Sequence, residues 1–213
     1  FGDTFEYQIK QLQMIFGLAL IGLQPSLQRA CLLMGAGGSG KSTIIRLLEA
    51  LVPEEFVARI SPLELDCDYK KAALADKLLN LVPEIDKDKV IPSAAFKAVT
   101  GEDKISARQP FGRVFNFVSN AGNWFSGNFF ITTKDHSDAF YRRWVIIRFY
   151  HAKLETERDP MLTDRIIKNE LPGILAWAFD GVRDYLKNGL YLSTIHYSAM
   201  KEWKTDGNSA LSW

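Results

Sequence analysis

The run Gly35-Ala36-Gly37-Gly38-Ser39-Gly40-Lys41-Ser42 has the residue types and spacing to hold a chain of phosphates. It satisfies G-x-x-x-x-G-K-[ST] through Gly35, Gly40, Lys41 and Ser42. Glycines let the backbone curl until successive amide N–H groups point at phosphate oxygens. A helix opening at Lys41 would add the positive end of its dipole. Lys41 would then reach the β- and γ-phosphates, Ser42 would hold Mg²⁺, and Thr43 completes the binding segment 35–43. The expected ligands are ATP and Mg²⁺. The alternative, a merely flexible glycine turn, does not require the strand before the loop or the helix after it, and both are legible here.

The loop alone does not separate ATPases, GTPases and small-molecule kinases. Leu-Ser-Gly-Gly-Gln, the mark of transporter-type ATPases, is absent. A guanine-reading N/T-K-x-D is also missing, because Thr133-Lys134-Asp135 is followed by His136. Such an ATPase needs a carboxylate at the end of a neighbouring strand to order Mg²⁺ or polarise the attacking water. Glu84 and Asp86 follow the apolar run 78–82, and Glu84 is nearer the strand end. Asp86 also reads as part of a solvated turn, Asp86-Lys87-Asp88-Lys89. Asn128, at the end of another strand, is placed to position water at the γ-phosphate, although an Asn beside Gly127 also suits a plain turn. Arg142 and Arg143 precede a further strand. An arginine there can stabilise transition-state charge in a neighbouring subunit, or simply form a surface ion pair.

These residues need a scaffold that brings strand ends together. Leu12, Ile15, Phe16, Ala19 and Leu20 recur at helical spacing over residues 5–21. Ala30–Met34 reads as a buried parallel strand. Ile44, Leu47, Leu48 and Leu51 line one face of the helix after the loop, which must close before Pro53. Leu78–Val82, Asn123–Asn128 and Trp144–Phe149 read as further strands. A helix is expected from Pro92, a hairpin over 103–118 about Pro110-Phe111-Gly112, and helix beyond Pro160 with Gly189 as its C-terminal cap. Alternating strands and helices specify an α/β fold with a helical C-terminal portion.

Composition sets the outer bounds. Of 213 residues, 47% are apolar and 24% charged, enough for one α/β domain with a substantial core. Net charge is only +1, so any nucleic-acid site must be a local patch. Segment 97–113 is such a patch: Lys97, Lys104, Arg108 and Arg113 face only Glu102 and Asp103. Projected from a hairpin, Lys104, Arg108 and Arg113 could track phosphates without reading sequence, and Phe111 could stack on a base. An ordinary charged hairpin with a packed Phe fits the same residues. Cys31 and Cys67 lack metal-ligand spacing, and a reducing cytosol is the default. No apolar run reaches the length of a membrane span. The first residue is Phe1 rather than Met, so a longer protein is expected around this chain.

Taken together, the motifs resemble those of the superfamily 3 helicases, in particular the phage, plasmid and poxvirus primase-helicases. The family order is phosphate loop, acidic strand, basic hairpin, Asn sensor, arginine finger. It is met here by Gly35–Ser42, Glu84, Lys104-Ile105-Ser106-Ala107-Arg108, Asn128 and Asp138-Ala139-Phe140-Tyr141-Arg142-Arg143. Thr100-Gly101-Glu102-Asp103 leads into the hairpin as in that branch, and Glu170-Leu171-Pro172-Gly173-Ile174-Leu175-Ala176-Trp177 is similar to its later helix. Two departures stand out: Phe129-Phe130 follows the sensor, and no second acid adjoins Glu84.

The resemblance implies an AAA+-like P-loop NTPase fold with a parallel sheet. It implies a lead-in over 1–27, an ATPase core over 28–152 and a helical portion over 153–213. It further implies a ring, usually a hexamer, with ATP between subunits, translocation along single-stranded DNA, and a linked or partner primase in the cytoplasm of a bacterial or phage-infected cell. In that scheme Glu84 polarises water, Asn128 positions it, and Arg142 or Arg143 acts in trans. Two rivals remain at this stage: a nucleoside or small-molecule kinase, and an ATP-gated DNA-loading module that does not unwind.

Overall fold

Strand β1, Ala30–Gly35, shows how the sheet is made. Ala30, Leu32 and Met34 enter one apolar cluster, while Cys31 and Leu33 enter another on the opposite face. A strand buried on both sides must be apolar throughout and covered by helices above and below. The computed structural model, which describes residues 2–86 and 89–209, has that three-layer form. Lys87 and Asp88 of the charged turn lie outside the described residues.

In chain order, α1 (Gly2–Leu20) precedes β1, and α2 (Lys41–Ala50) follows the glycine loop. Next come β2 (Val57–Ala58), α3 (Asp68–Ala72), β3 (Leu79–Val82) and α4 (Ser93–Val99). A separate antiparallel pair, β4 (Lys104–Arg108) and β5 (Val114–Val118), forms the expected hairpin. β6 (Gly122–Gly127), α5 (Asp138–Tyr141) and β7 (Trp144–Phe149) complete the core. Two helices follow, α6 (Leu162–Asn188) and α7 (Thr194–Ser209). The five-stranded sheet is parallel in the order β2-β3-β6-β1-β7. The fold is therefore an α/β P-loop NTPase of AAA+-like form, with a helical C-terminal portion.

One layer is made by α1, α2 and α6, whose Phe16, Leu48 and Ala178 pack beneath Leu33 and Trp124. Gly17 and Gly181 allow α1 and α6 close approach: a Cβ on either would strike a backbone carbonyl of the other helix. The second layer uses α4, α5 and α7. There Phe96 stacks on Trp144 at 4.5 Å between ring centres, and Trp203 meets the same ring edge-on.

β7 is an edge strand, and side chains saturate part of its backbone. Gln8 donates to the Arg148 carbonyl at 2.9 Å and accepts from the Arg148 amide at 2.8 Å. Gln11 donates to the Ile146 carbonyl, and His196 Nδ1 accepts from the Ile146 amide at 3.1 Å. Such pairing covers part of the open edge that would otherwise invite another strand.

Candidate active site

In this topology the C-terminal ends of β1, β6 and β3 lie side by side, and chain order reverses around β1. Crevices at such points are where open parallel sheets hold ligands. The glycine loop leaves β1, Asn128 directly follows β6, and Glu84 follows β3 by two residues. All three segments line one cavity of about 600 Å³. The three motifs, far apart in the chain, are thus brought by the sheet to one rim.

Gly38 and Gly40 hold the loop open with φ of 79° and 97°, conformations that a side chain resists. Contrary to the solvent-facing position that a phosphate-catching lysine would be expected to take, Lys41 is only 7% exposed. Its ammonium donates to the Gly35 carbonyl at 2.6 Å, the Ala36 carbonyl at 2.9 Å and Asn128 Oδ1 at 3.0 Å. Those acceptors match its three N–H donors and make burial of the charge tolerable. Burial lowers the Lys41 pKa and the charge of Glu84 opposes that, so Glu84 lies within electrostatic reach of the ammonium. The Ser39 hydroxyl, buried in the same loop, has no partner among the described residues. An orphan donor beside a lysine and a row of amides suits a phosphate chain. Ser42 is exposed in the cavity wall, with a hydroxyl suited to a divalent cation.

Glu84 is held by its neighbours. Ser126 Oγ donates to the Pro83 carbonyl at 2.6 Å, and the Ile85 amide donates to the Ser126 carbonyl at 3.0 Å. β6 therefore pins the backbone on both sides of Glu84. Asp86 pairs with Lys89 at 3.6 Å and, unlike Glu84, does not line the cavity.

The strap between β7 and α6 forms the far wall, which the motifs did not reveal. It brings His151, Lys153, Arg158 and Pro160 to the cavity, with Leu162 at the start of α6. Loop residues of this kind carry no periodic signal; only the chain path brings them here. α6 is tied to α2, the helix after the glycine loop, by Thr43 Oγ1 and Thr163 Oγ1 at 3.2 Å and by the Arg46–Asp164 ion pair.

Arg142 and Arg143 lie elsewhere. Trp144 pairs with Ala30, at the start of β1, and Phe149 with Gly35, at its end. The arginines therefore stand at the opposite ends of the strands, roughly 17 Å away at ~3.3 Å per residue. Arg142 is exposed. Arg143 is 8% exposed and donates to the Ala139 carbonyl at 2.6 Å, and its Nε has no partner among the described residues.

On the hairpin, Lys104 and Arg108 occupy the exposed face, and Ser106 between them bonds Asn116 across the pair. Ile105 and Ala107 face inward. Arg113 is exposed beside the turn. Phe111 at the tip is fully exposed and takes a φ of 59°. A turn closed by Gly112 N–H to the Gln109 carbonyl normally puts glycine or asparagine at that position. Lys97 is withdrawn from this surface into a part-buried ion pair with Asp135 at 2.8 Å.

A model of the family described as "Family of unknown function (DUF5906)" matches residues 33–143. Among solved structures, the chain is similar to an A-form apo structure of the NrS-1 C-terminal region. The TM-score is 0.65 at 17% identity, covering 93% of this chain and 50% of that one. A further apo structure of that region gives 0.66 at 16% identity, with 96% and 50% covered. JCV helicase matches at 0.47 and 13% identity, over 98% of this chain and 61% of the other. The chain spans about half the length of the NrS-1 chains it matches.

Proposed function

We propose that this chain, which belongs to the DUF5906 family, is the ATP-hydrolysing motor of a superfamily 3-type DNA helicase or translocase. The observation that carries the reading is the 3.0 Å contact between Lys41 and Asn128, in a cavity that Glu84 also lines. A phosphate-loop lysine, a strand-end carboxylate and a strand-end amide on one rim are the parts that positioning a water against a γ-phosphate requires.

In this reading the amides of 36–42 and Lys41 bind the β- and γ-phosphates. Ser42 and Glu84 would hold Mg²⁺, which neutralises charge developing between the two phosphates. Glu84 accepts a proton from the attacking water, and Asn128 orients that water with its carboxamide. The remaining transition-state cation is Arg142 of an adjacent copy, since a subunit's own Arg142 lies at the wrong end of the strands. That arrangement calls for a ring of copies, and a hexamer is the form proposed. The hairpin supplies the DNA contact: Lys104, Arg108 and Arg113 meet phosphates of single-stranded DNA, and the strained, exposed Phe111 stacks on a base. Backbone strain persists where function maintains it, which favours a working tip over a packed one.

The test is ATP turnover with and without single-stranded DNA, together with strand displacement on a forked duplex. DNA-stimulated turnover with displacement is expected, and Lys41→Ala should lack both. Transfer of phosphate to an added nucleoside without DNA stimulation would replace this reading with a kinase. Turnover and assembly on DNA without displacement would replace it with a loading module.

A further inference from the structure

The guanidinium of Arg158 lies against the tip of the phosphate loop. A Cβ built on Gly38 would land on its Nε, Cζ and Nη2 atoms, so the loop glycine and the arginine occupy complementary space. Arg158 Nε donates to the Lys153 carbonyl at 3.2 Å, and Nη2 makes a long 3.5 Å contact to the Gly37 carbonyl. The Lys153 amide donates to the Gly38 carbonyl at 3.2 Å. Strap and loop are thus joined at Gly37–Gly38, and Arg158 is held at the cavity wall by weak neutral acceptors.

The charge balance of the cavity points the same way. Lys41, Lys153 and Arg158 line it with two carboxylates, Glu84 and Asp159. Asp159 is committed to an ion pair with Arg165 and also accepts from the Met161 amide. Arg158 therefore faces the loop without a carboxylate of its own among the described residues. A guanidinium offers five donors in a planar fork that fits phosphate oxygens bidentately and pairs its charge with theirs, which the single carbonyls now facing it cannot do.

We infer that Arg158 is a phosphate-binding residue of its own subunit's nucleotide site, exchanging the Gly37 carbonyl for the phosphate chain of ATP when the nucleotide binds. The inference rests on the ATP-binding reading above and adds a cis cation to it, distinct from the trans role given to Arg142. Because the strap runs into α6, the exchange would also pass nucleotide occupancy to the helix that packs on α1.

The experiment is equilibrium binding of a fluorescent ATP analogue, and of ATP and ADP by competition, to the full chain and its variants. Arg158→Ala should lose about tenfold to a hundredfold in affinity for both nucleotides, the range of one charge-assisted hydrogen bond. The loss should persist at protein dilutions where copies do not associate. Arg158→Lys should recover part of it. Arg158→Gln places an amide N–H where Nε stands and can still donate to the Lys153 carbonyl but carries no charge, so it should bind as poorly as Arg158→Ala. Wild-type affinity in Arg158→Gln would make the residue a staple of the strap and overturn the inference. So would Arg158→Ala binding within twofold of wild type while Lys41→Ala has lost binding. A wild-type chain that binds no nucleotide would overturn both this inference and the reading beneath it.

Discussion

The Lys41 ammonium donates to Asn128 Oδ1 at 3.0 Å, joining the end of β1 to the end of β6 through side chains 87 residues apart. Its other partners are the carbonyls of its own loop. A phosphate chain entering the loop must therefore draw the ammonium away from neutral acceptors and leave the amide of Asn128 to find another partner. In the function proposed above, nucleotide binding and the orientation of Asn128 would become one event.

Lys41→Met tests the first half of that statement. Methionine keeps the aliphatic volume and removes the charge. Turnover should fall below detection, since nothing else in the loop can neutralise the γ-phosphate. Stability should fall only modestly. Losing the bonds of one charged donor costs about 1.5–3 kcal/mol, and each kcal/mol lowers Tm by roughly 2–4 °C in a domain of this size. A folded Lys41→Met protein with ordinary turnover would remove the loop from the mechanism.

Asn128→Asp tests the other half. A carboxylate placed 3.0 Å from the ammonium would form a charge-assisted pair and compete with phosphate for Lys41. Expected are ATP binding weakened by about tenfold or more and turnover lost beyond that. Asn128→Ala should bind ATP nearly normally and fail only in turnover. Equal loss of affinity in the two variants would mean that Asn128 holds the loop rather than senses its contents.

Much of this site was legible in the sequence because its residues sit at the ends of continuous apolar runs. β1, β3, β6 and β7 are buried on both faces, and the next residues must emerge together at one edge of a parallel sheet. That logic located Lys41, Glu84 and Asn128. It could not locate Arg158 or Ser126. Arg158 lies on an irregular strap whose path no periodicity encodes. Ser126 reads as an ordinary strand serine, and only its bonds to the Pro83 and Ile85 backbone give it a role. The same logic could not find β2, two residues long, or reveal that Lys41 is buried, because burial of a charge depends on acceptors supplied by the folded loop.

The hairpin predicts a salt effect. Lys104→Ala and Arg108→Ala should each weaken single-stranded DNA binding by similar factors for all sequences. Each lost phosphate contact should lower the slope of log affinity against log salt by roughly 0.7. Phe111→Ala should weaken binding by about 1–3 kcal/mol with the slope unchanged, since stacking carries no counterion release. Unchanged affinity in all three variants would leave the hairpin a structural element.

His196 makes stability depend on pH. Its Nδ1 accepts from the Ile146 amide, which requires the neutral ring. Burial, reinforced by the charge of Arg29, pushes its pKa down to about 4 from 6.5. The unfolded chain therefore takes up this proton first as pH falls. Stability from this residue is complete above the unfolded value near 6.5 and is lost as pH descends through about 4. The full effect is on the order of 3 kcal/mol at ~1.4 kcal/mol per unit. Denaturant unfolding across this window should show a shallower pH slope in His196→Asn, whose side chain can still accept the bond. Identical slopes would assign the acid sensitivity to other groups.

The two arginines before β7 should separate cleanly. Arg143 is buried and bonded to the Ala139 carbonyl, and its charge sits near Asp103 and Asp135. Arg143→Ala should lower Tm by several degrees, because it strips a buried charge from its partners. Arg142 is exposed and stands at the end of the strands opposite the phosphate loop. Arg142→Ala should leave Tm and nucleotide binding unchanged while turnover falls steeply; arginines supplied in trans are worth about 10³–10⁵ in rate. Turnover per wild-type subunit should also rise with protein concentration until rings form. The sharper measurement mixes Lys41→Ala with Arg142→Ala, each inactive alone. Some interfaces of a mixed ring pair an intact loop with an intact Arg142 from the next copy, so activity should reappear on mixing. A wild-type chain with full DNA-stimulated turnover as a monomer would exclude action between subunits.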